Sequence, residues 1–352
     1  MKRLFPNQKR TILALLLPVF LAFFSPVFAQ HDQHEEEKRE RQQEHAEEAL
    51  NVSEVIIDHV KDSHVWHFTE SAVLYLPVIT YTSEDGLKVF SSGNFYEHHN
   101  IVPYGDYTLD HEHIFYKGQP VLDLSITKNV AMLFINAILM LLIFGAAARA
   151  YGKRKGLAPK GIQSFMEPVI LFVKDDIVKP NIGPKYWKFL PYILTLFFFI
   201  FFGNLLGLLP GAANLTGNIA VTACLAALTF IITNVNGNKD YWKHIFWTPG
   251  VPNALRPIIL PVEIIGVFTK PFALTVRLFV AITAGHIVLL ALTSLTFIFH
   301  RWSVGIGTTV VNIFISLIEL LVAAIQAYVF AMFTSLYIGQ AIAEHEHHDE
   351  GH

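Results

Sequence analysis

IILPVEIIGVFTKPFALTVRLFVAITAGHIVLLALTSLTFIF, residues 258–299, is an apolar run about twice as long as an upright membrane crossing needs. It nevertheless carries Glu263, Lys270, Arg277 and His286. A second apolar run, residues 307–343, carries Glu319 and Gln326, and His300-Arg301-Trp302-Ser303 is the only polar break between the two. That pattern predicts a pair of long helices, strongly tilted or kinked at Pro271, joined as a hairpin with its tip at the polar break. Ionisable groups cost some kilocalories each when they face lipid, so a set of them inside such helices points to an ion path. The bland reading, a snorkelling side chain, suits Lys270, whose long stem reaches an interface. It does not suit Arg277, which sits inside Leu274-Thr275-Val276-Arg277-Leu278-Phe279 and cannot shed its proton.

Spacing adds a geometric expectation. In an antiparallel hairpin, residues at equal depth share a midpoint, and both His286 with Glu319 and Arg277 with Gln326 centre within a residue of Trp302. Each pair therefore lies at one level. Glu319 and Gln326, seven apart, share a helical face, whereas Arg277 and His286, nine apart, point in roughly opposite directions. A cation lining one surface and a His/Glu proton relay in an adjoining cavity fit this arrangement.

Working outward, further spans are expected at about residues 126–150, 189–209 and 218–233, with Asp123 or Ser125 as the N-cap of the first. This makes an all-α polytopic membrane domain of about five helices over residues 125–343. The connection between the first two spans holds Arg149, Lys153, Lys160, Lys174, Lys179, Lys185 and Lys188 among its basic residues, which places it in the cytoplasm. The acidic, His-rich tail at 344–352 falls on the same side. At the other end, Lys2, Arg3, Lys9 and Arg10, an apolar run at 12–24 and Val27-Phe28-Ala29 read as a signal peptide over residues 1–29. An uncleaved anchor helix is the alternative.

Residues 30–124 are then exported, as a polar arm, solvated or disordered, and a small β-containing domain. The Asp85-Gly86 pair between β-branched runs signals a hairpin in that domain. The composition agrees, since 352 residues at 53% hydrophobic and 16% charged are too apolar for one water-soluble domain. A net charge of −3 with basic residues in short loops argues against nucleic acid. The single cysteine, Cys224, excludes an intramolecular disulfide. There is no nucleotide-binding motif, and no cofactor or metal site is expected.

Lys270-Pro271, Arg277-Leu278-Phe279, Ala284-Gly285-His286, Glu319 and Ile325-Gln326-Ala327-Tyr328-Val329-Phe330 together resemble subunit a of F-type ATP synthases. Gly203-Asn204-Leu205-Leu206-Gly207-Leu208-Leu209-Pro210 is similar to the same family, and the likeness covers about residues 125–343. The longer exported part resembles the extended form of Bacteroidetes-like bacteria.

The resemblance implies a non-catalytic stator subunit in the bacterial inner membrane that passes protons through two half-channels. Its partners would be the c-ring, the peripheral-stalk b subunits and, indirectly, the soluble ATPase sector. Arg277 would face the c-ring carboxylates with Gln326 beside it, and Glu263 would belong to the cytoplasm-side half-channel. His286 and Glu319 would line the opposite one, with Asn204 and Lys270 supporting. One departure is Ala281, four residues after Arg277, where the family usually has asparagine. A stand-alone secondary transporter and a structural anchor for the exported domain are the rival readings. The transporter would usually show internal repeats, of which none is seen, and the anchor leaves Arg277 unexplained.

Overall fold

A computed structural model describes residues 62–343 except 70–71, 98–99, 111, 154–158, 210, 248–251, 253–254 and 300–301. The expected signal peptide, the polar arm through residue 61, the acidic tail and the first half of the hairpin tip lie outside these residues.

Residues 65–123 form short antiparallel strands: β1 Val65–Thr69, β2 Ala72–Tyr75, β3 Pro77–Thr82, β4 Gly86–Ser91, β5 Tyr96–Glu97, β6 Asn100–Ile101, β7 Tyr107–Asp110, β8 His113–Tyr116, β9 Gln119–Pro120 and β10 Leu122–Asp123. The hairpin expected at Asp85-Gly86 is there. Thr82 pairs with Gly86 across the β3–β4 turn, and Gly86 takes φ +69°, a conformation that costs glycine nothing. Strand β3 alternates, turning Val78, Thr80 and Thr82 inward. Val78, Phe95, Tyr107, Leu109 and Ile114 make the small core.

This β part is fastened to the helices through Asp62, Trp66 and Leu76. The indole N–H of Trp66 donates to the Gly211 carbonyl (2.6 Å), and Trp66 and Leu76 share a buried cluster with Met132 and Ala213. Helix α1, Lys128–Lys153, is capped by Asp62, which accepts from the Thr127 hydroxyl (2.8 Å) and the Asn129 N–H (3.1 Å). The cap expected at Asp123 or Ser125 is therefore corrected. A distant carboxylate satisfies the helix start, while Asp123 is drawn away to His64 and Ser125 takes the Ile79 N–H.

His64 is buried between two acids. Its Nδ1 lies 3.2 Å from Glu112 and its Nε2 3.1 Å from Asp123.

The basic connection expected as a loop after α1 folds instead as α2 Ile162–Phe172, a π-helical turn Val173–Val178 and α3 Lys179–Ile182. Beneath its basic residues runs an amphipathic period. Met166, Val173, Ile177, Val178 and Ile182 are buried while Asp175 and Asp176 stay outside. Then come α4 Tyr186–Gly207, α5 Ile219–Val235 and α6 Lys239–Phe246, bent 104° from α5. The chain ends in α7 Arg256–Phe299 and α8 Trp302–Ile342, which bracket the expected tip.

Among the described residues, four helical segments are long and apolar enough to cross a membrane, or five if α5 and α6 form one span. Helix α7 runs unbroken through Pro261 and Pro271. At 1.5 Å per residue, α7 and α8 are each about 60 Å long, twice an upright crossing.

Helix α4 is the centre of the core, with α8 packed on it. The fit is close because Ala323, Ala327, Ala331, Ser335 and Gly339, four residues apart, make a buried ladder of small side chains on α8. At Gly339 a Cβ would overlap the Asn181 carbonyl oxygen.

Burial alone would lower the His64 pKa, but hydrogen bonds to Asp123 and Glu112, and their charge, raise it from 6.5 to about 9. The same contacts, outweighing burial, hold both acids below their ordinary values. The histidine's contribution to stability is thus complete below about pH 6.5 and is lost as pH rises through 9. The acids' contribution is present above their ordinary values of 4.5 and 3.8 and is lost as pH falls through the depressed ones. His64→Ala leaves two carboxylates without their shared cation and should cost about 3 kcal/mol. Limited proteolysis of the assembled protein checks this. Wild type should become more cleavable in the β part above pH 9, and the variant should be more cleavable throughout, without that alkaline step.

Candidate functional site

Two hydrogen bonds set the register of the α7–α8 hairpin. Thr296 meets Thr308 (2.6 Å), and the Asn312 amide donates to Thr293 (3.0 Å). Both pairs centre within a residue of Trp302, so the backbone positions of His286 and Glu319 are level, as are those of Arg277 and Gln326.

Glu319 is 7% exposed although it ends in a carboxyl group, and neither of its oxygens has a hydrogen-bond partner among the described residues. It fits there because residue 285 is glycine. A Cβ at that position would stand 3.0 Å from the Glu319 Cγ and Cδ, and closer still to Oε1. The carboxyl group therefore packs on the α7 backbone beside the half-buried His286 and makes no direct hydrogen bond to the imidazole.

Arg277 is exposed on the outer face of α7, in a stripe with Ala273, Val280, Ala284 and Ile287, all exposed. Behind it, Leu274 and Leu278 are buried in the cluster that also holds Ala327, Phe330 and Ala331 of α8. The guanidinium lies over the Phe333 ring, 4.4 Å from its centre, and no carboxylate pairs with it among the described residues. Phe333 is seven residues, or about 10 Å of helix, beyond the half-buried Gln326. The cause is side-chain direction. Helical side chains lean toward their own N-terminus, so Arg277 on α7 leans toward the later residues of antiparallel α8. Lys270 leans the same way, donating to Gln340 (3.3 Å) and lying over Tyr337.

Lys270 and Glu263 line a cavity of about 370 Å³ together with Asp240, Tyr241, His244 and Gln340. Sequence reasoning found the first two. It missed the α6 residues, whose signal was the i, i+4 spacing of Asp240 and His244 on a short helix after Asn238, which caps it through the Tyr241 N–H. Along α7, Glu263 lies about 21 Å to one side of Arg277 and His286 about 13 Å to the other. Three zones result: a polar cavity, a solitary cation on an apolar face, and a buried carboxyl group beside a histidine.

Asn204 braces this arrangement from α4. Its amide donates to the Ala323 carbonyl on α8 (3.2 Å), and its Oδ1 accepts from Thr216 (2.6 Å). Among the described residues no group of His, Cys, Asp or Glu could hold a metal.

Residues 130–339 match the family described as ATP synthase A chain, and residues 55–131 match a domain of unknown function. ATP synthase subunit a 2 of Chlorobaculum tepidum is 45% identical, with 72% of each chain covered. ATP synthase subunit a of Chloroherpeton thalassium is 44% identical over 65% of this chain and 70% of its own. A third relative, ATP synthase subunit a of Chlorobium phaeobacteroides, is 36% identical over 97% of this chain and 95% of its own.

Asn204→Ala would leave the Thr216 hydroxyl and the Ala323 carbonyl facing an apolar void. It should destabilise the helical part by about 2 kcal/mol. A thermal unfolding midpoint unchanged from wild type would show that Asn204 is not a brace.

Proposed function

The chain belongs to the ATP synthase A chain family, and from that premise we propose that Arg277 is the electrostatic barrier between two proton paths and faces the carboxylates of a rotating c-ring. The chain is the non-catalytic, multi-pass membrane subunit of the F-type complex. The relatives lend no support to a stand-alone transporter.

The observation that carries the reading is Arg277 on an exposed apolar stripe. A guanidinium that cannot deprotonate is costly against lipid and is stabilised by a carboxylate brought to it. The small side chains of Ala273 and Ala284 on the same stripe let another helix approach closely.

On this reading the cavity at Glu263 and Lys270 is the aqueous path on the cytoplasmic side. The β part is exported, and His286 with Glu319 belongs to the path from that side. A c-ring carboxyl group releases its proton on meeting Arg277, because the ion pair favours the carboxylate. It cannot pass the cation protonated, so each proton rides the ring between the paths instead of leaking across. The membrane potential supplies about 2.3 kcal/mol per charge per 100 mV. Gln326, level with the Arg277 backbone, offers an amide to the arriving carboxylate, and Lys270 offsets part of the negative charge that Glu263 and Asp240 bring to the cavity. The peripheral-stalk b subunits would hold this chain still against the ring.

Arg277→Ala should abolish ATP-driven proton pumping in membrane vesicles while the complex still assembles. Arg277→Lys should fail nearly as fully, since an ammonium lacks the planar fork. Pumping at the wild-type rate in either variant would overturn the assignment.

For the relay, each single exchange, His286→Glu or Glu319→His, sets two like groups against one another. The double exchange should recover more pumping than the singles predict additively. Gly285→Ala should lower pumping by at least tenfold through displacement of Glu319, without touching either titrating group. If pumping is unimpaired, the carboxyl group's position there does not matter.

A further inference from the structure

A second cavity, of about 430 Å³, opens between the start of α4, the α5–α6 junction and the end of α8. Its lining among the described residues is Lys185, Trp187, Lys188, Phe189, Asn236, Asn238 and Ile342, with two cations. We propose that this cavity is a binding site for the phosphodiester headgroup of an anionic phospholipid.

Depth comes first. Trp66 of the β part bonds to Gly211, just past the C-terminal end of α4, and the 22 residues of α4 then span about 33 Å. Lys185 and Lys188 therefore stand at the opposite membrane surface, at headgroup level. Trp187, 64% exposed between them and in ring contact with Tyr186 (4.7 Å), has the amphipathic character of residues that settle at that level.

The chemistry is that of an anion. Lys188 uses one ammonium donor on the Asn236 Oδ1 (2.7 Å), which holds its side chain across the mouth of the cavity and leaves it two more donors. Lys185, three residues earlier, lies on the same face of the helix start and also lines the cavity. The asparagines do not compete for the ligand. The Asn238 amide donates to the Ala343 carbonyl and that of Asn236 to Ile232, so both shape the wall. Helix α4 has no acidic residue in its first turn, and its dipole adds positive potential at the same point.

The wall selects lipid over free phosphate. Trp187 gives the cavity an exposed apolar edge, backed by the half-buried Ile342 and the buried Phe189, where an acyl chain packs and a small inorganic anion finds no contact. A headgroup seated here would tie together the ends of α4, α5 and α8, and α8 is the helix that carries Glu319 and Gln326.

The test uses the complete ATP synthase complex in nanodiscs, made either of phosphatidylcholine alone or with one fifth phosphatidylglycerol. Lipid retained after detergent exchange is counted by mass spectrometry. Wild type should keep phosphatidylglycerol in preference to phosphatidylcholine, and inorganic phosphate at 10 mM should not displace it. Lys185→Gln with Lys188→Gln should weaken retention by about 30-fold, from the share two lysines hold at an anionic surface. Lys185→Arg with Lys188→Arg should keep it, separating charge from misfolding.

Equal retention by the Gln pair overturns the site. Displacement by inorganic phosphate assigns it to a soluble anion and overturns the lipid reading. So does a photo-reactive side chain at position 187 that links to another subunit instead of to lipid.

Discussion

A guanidinium that is charged at every attainable pH stands on a helix face otherwise made of Ala, Val and Ile, and the rest of the helical part is arranged around that constraint. Arg277 is held at the surface because Leu274 and Leu278 on the other side of the same turns are fully packed. They belong to the same buried cluster as Ala327 and Ala331 of α8, whose small side chains let α8 and α4 approach closely. The Asn204 bond to the Ala323 carbonyl then fixes α8 along its axis. Position along the axis matters, since a shift of one residue changes which α8 side chain lies under the guanidinium.

The β part answers a different constraint. A membrane helix that starts at an interface has free N–H groups, and here they are met by Asp62, which the chain supplies from well outside the helix. His64, two residues on, is clamped by Glu112 and Asp123, so the segment carrying the cap is itself held by charges from β8's approach and from β10. Trp66, two residues further, reaches the turn after α4. Asp62 and Trp66 thus couple the β part to α1 and to the turn after α4, His64 pins the segment between them, and the first of them completes α1. This connection makes the β part a structural component of the membrane subunit, whatever further role it has.

Family membership assigns the chain to the ATP synthase, while the geometry shows how its individual side chains are seated. Glu319 is the clearest case. Its carboxyl group is accommodated by the missing side chain of Gly285, and no donor among the described residues meets it.

Length, hydropathy and the position of the polar break determined the long hairpin, its register and the identity of Arg277, Glu263, His286 and Glu319 as groups at odds with lipid. Those are one-dimensional properties: period, run length and the cost of a charge depend on neighbours in the chain. The β3–β4 turn was legible for the same reason, since a positive φ needs glycine locally. Tertiary structure alone decided that Asp62 caps α1, that Gly285 seats Glu319, that Arg277 lies over Phe333, and that α6 brings Asp240 and His244 to the cavity of Glu263. It also turned the Lys-rich connection into helix, because the pattern of buried Met166, Val173 and Ile177 has meaning only once α4 and α8 supply the surface they pack on. Each of these depends on a contact between residues far apart in the chain, and local spacing carries no record of what a distant segment will bring to it.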